Sequence, residues 1–198
     1  YRSWTSTGTG VDDTRGVTLL AAPRAGGVTV RAGRAMRLRH LDATGGLLGS
    51  RTLHAVHTTA PLLPGWVPAW RRDLRVLGQW CRSPVAPIVA GDLNATLDHS
   101  VLRDALGGCR SAATGTGRGL VGTFPAALPR LLGIQIDHVL VPAGTTTTRF
   151  EVVDVAGSDH RGLLVTLRLP PHPLTRPPPV IVTRERAARQ GLLQVPQR

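Results

Sequence analysis

The spacing of apolar residues along this chain switches between alternation and a helical period, and the switches mark its elements. "GVTLLAA" (16–22) and "GVTVRA" (27–32) are short β runs bounded by Gly and Pro. "AMRLRHLD" (35–42) predicts a third strand, with Met36, Leu38 and His40 on one face and Arg37, Arg39 and Leu41 on the other. In "RTLHAVHTT" (51–59), Leu53, Ala55 and His57 alternate with His54, Val56 and Thr58. The period then lengthens. Over "PGWVPAWRRDLRVLGQWCRS" (64–83), Trp66, Trp70, Leu74, Leu77 and Cys81 recur at helical spacing, with Arg71, Arg72, Asp73 and Arg75 among the polar positions. This predicts a helix whose tryptophans anchor the core. "APIVAG" (86–91) is an apolar strand, and "DHSVLRDALGG" (98–108) a short helix capped by Asp98 or Ser100 and stopped by Gly. "GIQIDHVLVPAG" (133–144), "TRFEVVDV" (148–155) and "RGLLVTLRL" (161–169) are further strands. Residues 1–16 open no recognisable element.

This mixed β/α order fits one domain over residues 1–169 of the 198-residue chain. From Pro170 the composition turns to Pro and Arg, which predicts a disordered or extended tail over 170–198. No window approaches a bilayer-spanning apolar run, and residues 1–16 lack the apolar centre of a signal peptide. The chain opens on Tyr1, not Met, and reads as part of a longer product.

The formal charge is +12, and every one of the 24 basic residues is Arg. Such a field favours anionic partners. The arginines are scattered, however, and aromatics make up only 4 % of the chain, so no dedicated nucleic-acid stripe is visible. Cys81 and Cys109 form no CxxC pair, which argues against a zinc site. Sequence alone leaves them as either a disulfide or two buried thiols.

Three polar clusters stand at the ends of apolar strands: Asp92 with Asn94, Asp137 with His138, and Asp159 with His160. His57 ends a fourth strand. Each has an ordinary reading as a turn or loop pair. Together they are the parts needed for phosphoester hydrolysis. A hard divalent ion such as Mg²⁺ or Mn²⁺ prefers carboxylate and amide oxygens and neutralises the ester's charge. A histidine activates water or hydrogen-bonds the phosphate, and needs a carboxylate to fix its tautomer. No Ser or Cys nucleophile motif is present, so water is the simplest attacking group.

"PIVAGDLNAT", "IDHVLV" and "GSDHRGLLVTL", in this order, resemble the GD(F/L)N, (I/L)DH and SDH motifs of the endonuclease/exonuclease/phosphatase superfamily, and "LHAVHTTAP" resembles its VH strand. The Trp-rich helix and "GTFPA" (122–126) are similar to its membrane-anchored bacterial branch associated with glycopeptide resistance. The resemblance implies an α/β fold, a four-layer sandwich of two mixed sheets with helices outside. It implies that Asp92 orients water and Asn94 holds water or a phosphate oxygen. Asp159 would join Asp92 and Asn94 at the metal, His160 would be base or phosphate donor oriented by Asp137, and His57 would contact the phosphate. It also implies a Mg²⁺ or Mn²⁺ cofactor and a phosphoester substrate: lipid phosphate, nucleotide or nucleic acid. An extracytoplasmic domain on a membrane anchor is implied, and no obligate protein partner is evident.

Two departures matter. The family's early Asn and its metal-ligating Glu would both precede Tyr1, so the fold is expected to be incomplete at its N-terminus. The acids of residues 1–50 are Asp12, Asp13 and Asp42, none at a matching strand end, though Asp12 or Asp13 could stand in. Gly162 also replaces the usual Pro. The expectation is weak Mg²⁺ binding and little turnover. The alternatives are a DNA endonuclease of the same superfamily, or a non-catalytic remnant or binding module.

Overall fold

A computed structural model describes residues 1–7 and 14–171. The expected tail from residue 172 onward, and Asp12 and Asp13, lie outside the described residues. Among the described residues, ten strands and two α-helices follow in the order β1 (Arg2–Thr5), β2 (Thr18–Ala21), β3 (Val28–Gly33), β4 (His40–Gly45), β5 (Leu53–His57), α1 (Val67–Cys81), β6 (Ile88–Asp92), α2 (Ser100–Leu106), β7 (Cys109–Ser111), β8 (Asp137–Pro142), β9 (Thr146–Val153) and β10 (Gly162–Arg168).

Six strands form one mixed sheet in the order β3-β4-β5-β6-β8-β7. Its single parallel pair is β5–β6, joined across α1, because parallel neighbours need a long crossover. β1–β2 and β9–β10 are antiparallel two-stranded ribbons. The expected α/β class is thus observed, with these ribbons beside the one mixed sheet.

Strand alternation assigns the two faces of the large sheet. Val56, Val89 and Leu140 turn to one face and pack with Trp70, Leu74, Leu77 and Cys81 of α1 and Leu102 and Ala105 of α2. Val139 and Val141 turn to the other face, against Phe150, Val152, Leu163 and Val165 of the β9–β10 ribbon. Each fully buried Leu contributes about 1.5–3 kcal/mol. Cys81 and Cys109 are disulfide-bonded, with Cα atoms 5.2 Å apart, which ties the end of α1 to β7.

Several expectations are corrected. Arg2–Thr5 is a strand although all its residues but Trp4 are polar, because it pairs with β2. The third strand begins at His40, not residue 35, and residues 35–38 form a bend. β7 was not read from sequence; it is only three residues long. Trp66 is 42 % exposed, because α1 starts at Val67 and a tight turn over Pro64–Trp66 swings the indole off the buried stripe. Neither Asp98 nor Ser100 caps α2. His99 takes that position without a side-chain cap bond, and its Nδ1 accepts the Thr96 N–H instead. Among the described residues, no helix is long and apolar enough to cross a membrane.

Candidate active site

His57 closes β5, Asp92 closes β6 and Asp137 opens β8. The sheet register sets them side by side: His57 opposite Asp92, and Asp92 opposite Asp137. Residues in register on adjacent strands share a face, about 4.5–5.5 Å apart. The sheet therefore builds a row of imidazole, carboxylate and carboxylate on the face away from α1. His57 Nε2 lies 3.6 Å from Asp92 Oδ2.

The turn after β6 is shaped by its own polar groups. Asp92 Oδ1 accepts the Asn94 backbone N–H at 2.7 Å, and Oδ2 accepts from the Asn94 amide at 3.2 Å. That amide also donates to the Thr58 carbonyl at 3.0 Å, joining the loops after β5 and β6. Asn94 has φ +45°, a left-handed conformation that Asn tolerates. Gly91 has φ +145°, and a Cβ there would lie 1.8 Å from the Val56 carbonyl oxygen. Only glycine fits that approach.

The loop between β9 and β10 supplies the rest. His160 Nδ1–H donates to Asp137 Oδ2 at 2.8 Å, and the Phe124 ring tilts against the imidazole at 4.8 Å. That bond leaves His160 Nε2 as the atom free to act. The Asp159 carbonyl accepts the Ala126 N–H at 2.7 Å, while no hydrogen bond to its carboxylate is found among the described residues. His57, Asp92, Asn94, Asp137, Asp159 and His160 all line one cleft of ≈ 730 Å³, whose walls include Arg15, Arg37, Thr58, Thr59 and Trp66. The geometry thus brings together six of the seven strand-end residues; His138, next to Asp137, is instead buried, with its Nε2 2.8 Å from the Ala95 carbonyl.

Burial raises the Asp92 pKa, the Asp137 charge raises it further, and the Asn94 N–H partly offsets both. For His160, burial works to lower the pKa, but it is outweighed. The hydrogen bond to Asp137 and the charges of Asp137, Asp92 and Asp159 leave the pKa raised.

The sequence profile of the Endonuclease/Exonuclease/phosphatase family matches residues 3–160. The chain belongs to this family. Among solved structures, it is similar to a functionally unknown conserved protein from Enterococcus faecalis V583, with TM-score 0.61 and 12 % identity, covering 85 % of this chain and 77 % of that one. It is also similar to humanized D. rerio TDP2, with TM-score 0.52 and 16 % identity, covering 85 % and 75 %. A third likeness is the endonuclease/exonuclease/phosphatase from Beutenbergia cavernae DSM 12333, with TM-score 0.50 and 21 % identity, covering 74 % and 45 %. At these identities the likeness establishes the fold. No curated protein sequence matches the chain.

Endonuclease/exonuclease/phosphatase domains depend on divalent metal, and the cleft's donors fit that chemistry. Three carboxylates and an amide are oxygen ligands for a hard cation. Asp92, Asn94 and Asp159 could hold it. Among the described residues, no glutamate lines the cleft.

Three supporting residues escaped the sequence reading. Asp73, read as a polar helix position, is fully buried. Its carboxylate accepts the Arg37 N–H at 2.9 Å and the Thr59 N–H and hydroxyl at 3.0 and 2.9 Å, fixing two loops of the cleft wall. The available signal was an acid on the stripe of Trp70, Leu74 and Leu77. Arg161 is also buried. It donates to Asp154 and to the carbonyls of Gly122, Ala126 and Leu128, anchoring the loop that carries Asp159 and His160. Thr123 Oγ1 accepts the Ile136 and Asp137 N–H groups and seats the start of β8.

Proposed function

We propose that this domain hydrolyses phosphoesters with Mg²⁺ or Mn²⁺. The observation that carries the reading is the register row of His57, Asp92 and Asp137, with His160 hydrogen-bonded to its far end inside one open cleft. Asp92, Asn94 and Asp159 would hold the cation, which as a Lewis acid neutralises charge on the phosphoryl oxygens. Asp92 orients the attacking water and takes its proton, a role that its raised pKa suits. His160, whose raised pKa favours the imidazolium, donates from Nε2 to a phosphoryl oxygen, and Asp137 fixes its orientation. His57 contacts the phosphate from the other end of the row. Asp92 and Asp159 supply the one or two carboxylates on which a Mg²⁺ site rests beside the substrate phosphate.

The test is hydrolysis of a small nitrophenyl phosphodiester across a Mg²⁺ series up to tens of millimolar. Asp92→Asn is expected to lower turnover by roughly 10²- to 10⁴-fold with the fold retained by circular dichroism. Turnover that is unchanged in Asp92→Asn, or absent at every metal concentration, would overturn the reading. The second outcome would leave the non-catalytic module. A second reading, a DNA endonuclease, is favoured by Arg15 and Arg37 on the cleft wall of a chain with charge +12. Nicking of plasmid DNA in preference to the small diester would select it. The Cys81–Cys109 disulfide supports an extracytoplasmic location, where such bonds persist.

A further inference from the structure

We propose that His40, Asp42 and His54 form a second metal site, for a transition-metal ion of the Zn²⁺ class, on the face of the large sheet opposite the phosphoester cleft. His54 and His57 lie three residues apart on β5, so alternation turns them to opposite faces, with about 10 Å of strand between them. Asp42 is the register partner of His54 on β4, and His40 lies two residues before Asp42 on the same face. The three therefore converge by strand pairing alone, on a rigid sheet.

The distances suit a shared ion. His54 Nδ1 is 2.6 Å and His40 Nε2 3.4 Å from Asp42 Oδ1, and the three ligand atoms all lie within 4.8 Å of one another. Tetrahedral bonds of about 2.0–2.1 Å place ligand atoms roughly 3.3 Å apart. Against that spacing the closest pair must open by about 0.7 Å and the widest close by no more than about 1.5 Å, a matter of side-chain rotation. Two imidazoles and one carboxylate select a borderline ion over Mg²⁺, in contrast to the oxygen-only donors of the cleft.

The surroundings are built closely around these groups. Gly33 faces His40 across β3–β4, and a Cβ there would lie 2.0 Å from His40 Nε2, so the imidazole occupies the space that a side chain would fill. Trp80 of α1 stacks on the His54 ring at 3.8 Å and 9°, and its centroid is 5.0 Å from that of His40. The two imidazoles are buried, while the Asp42 side chain is 33 % exposed. The carboxylate edge is thus the way in for the ion and the place for a completing water. His54 Nδ1 and Asp42 Oδ1 face each other at 2.6 Å, and the ion would take the place of that contact.

The test uses the untagged 198-residue chain. Co²⁺ serves as a spectroscopic probe through its visible d–d bands, and Zn²⁺ competes for it. Quenching of tryptophan fluorescence by Co²⁺ reads the contact with Trp80. We expect one Co²⁺ with tetrahedral-type bands in the wild type and in Asp92→Asn. In Asp42→Asn, which keeps the side chain's shape, affinity should fall by more than the roughly 10- to 100-fold that loss of an outer-shell partner costs. His54→Gln should behave likewise, which guards against a folding artefact in either variant. Absence of Co²⁺ bands, or bands that survive Asp42→Asn but vanish in Asp92→Asn, would overturn the proposal. The second pattern would place all binding in the cleft and leave the phosphoester reading intact.

Discussion

One strand serves two sites. His57 at the end of β5 looks into the cleft beside Asp92, and His54, on the other face, lies under Trp80 beside Asp42. Both regions pair imidazole with carboxylate. In the cleft the carboxylates outnumber the imidazoles, space lies open in front of them, and His160 keeps one nitrogen free. Behind the sheet, two imidazoles crowd a single carboxylate against an indole. Strand parity separates a surface suited to substrate turnover from one suited only to holding something in place.

The comparison is broken most severely through Asp73, which braces the cleft walls from α1 without touching the Asp42 cluster. Asp73→Ala leaves three buried or half-buried donors unpaired and is expected to cost on the order of 3–5 kcal/mol, read from urea unfolding. Next comes the disulfide, which fixes the helix carrying Trp80 to β7. Its sequence separation is 28, so reduction should remove about 3–4 kcal/mol and lower the melting temperature accordingly.

A smaller effect distinguishes two histidines on either side of Asp137. His160 has a raised pKa, so it adds stability below the unfolded value of about 6.5 that disappears as pH rises through its folded value. His138 is buried, and burial lowers its pKa despite its bond to the Ala95 carbonyl. It adds stability above about 6.5 that disappears as pH falls through its folded value. His138→Gln, whose amide can still donate to Ala95, should flatten the acid limb of urea midpoints measured from pH 8 to 5. An unchanged limb would contradict this assignment. The smallest expected effect sharpens the separation of the two faces: His54→Gln should alter phosphodiester turnover by no more than about twofold, against the large loss in Asp92→Asn.

The cleft was legible because its chemistry sits in residue identity at strand ends. Asp92, Asn94, Asp137, Asp159 and His160 follow short apolar runs or motif loops, and alternation in 51–59 already set His57 apart from His54. The cluster behind the sheet was not legible. His40 and Asp42 are ordinary polar positions until β4 is paired with β5, and that pairing is a long-range fact. Trp66 was misplaced because helical spacing continued one step past the true start of α1. Asp73 was misread because a buried acid is stabilised by N–H groups from loops that no local pattern connects to it. β1 and β7 were missed because short strands are defined by their partners more than by their own composition.

The alignment of His57, Asp92 and Asp137 depends on strand bookkeeping alone, for none of the three is chained to the next in sequence. Connecting segments can grow or shrink without disturbing it. A single residue inserted within β6 would instead rotate Asp92 to the helix-packed side and leave the cleft facing a backbone with nothing to offer.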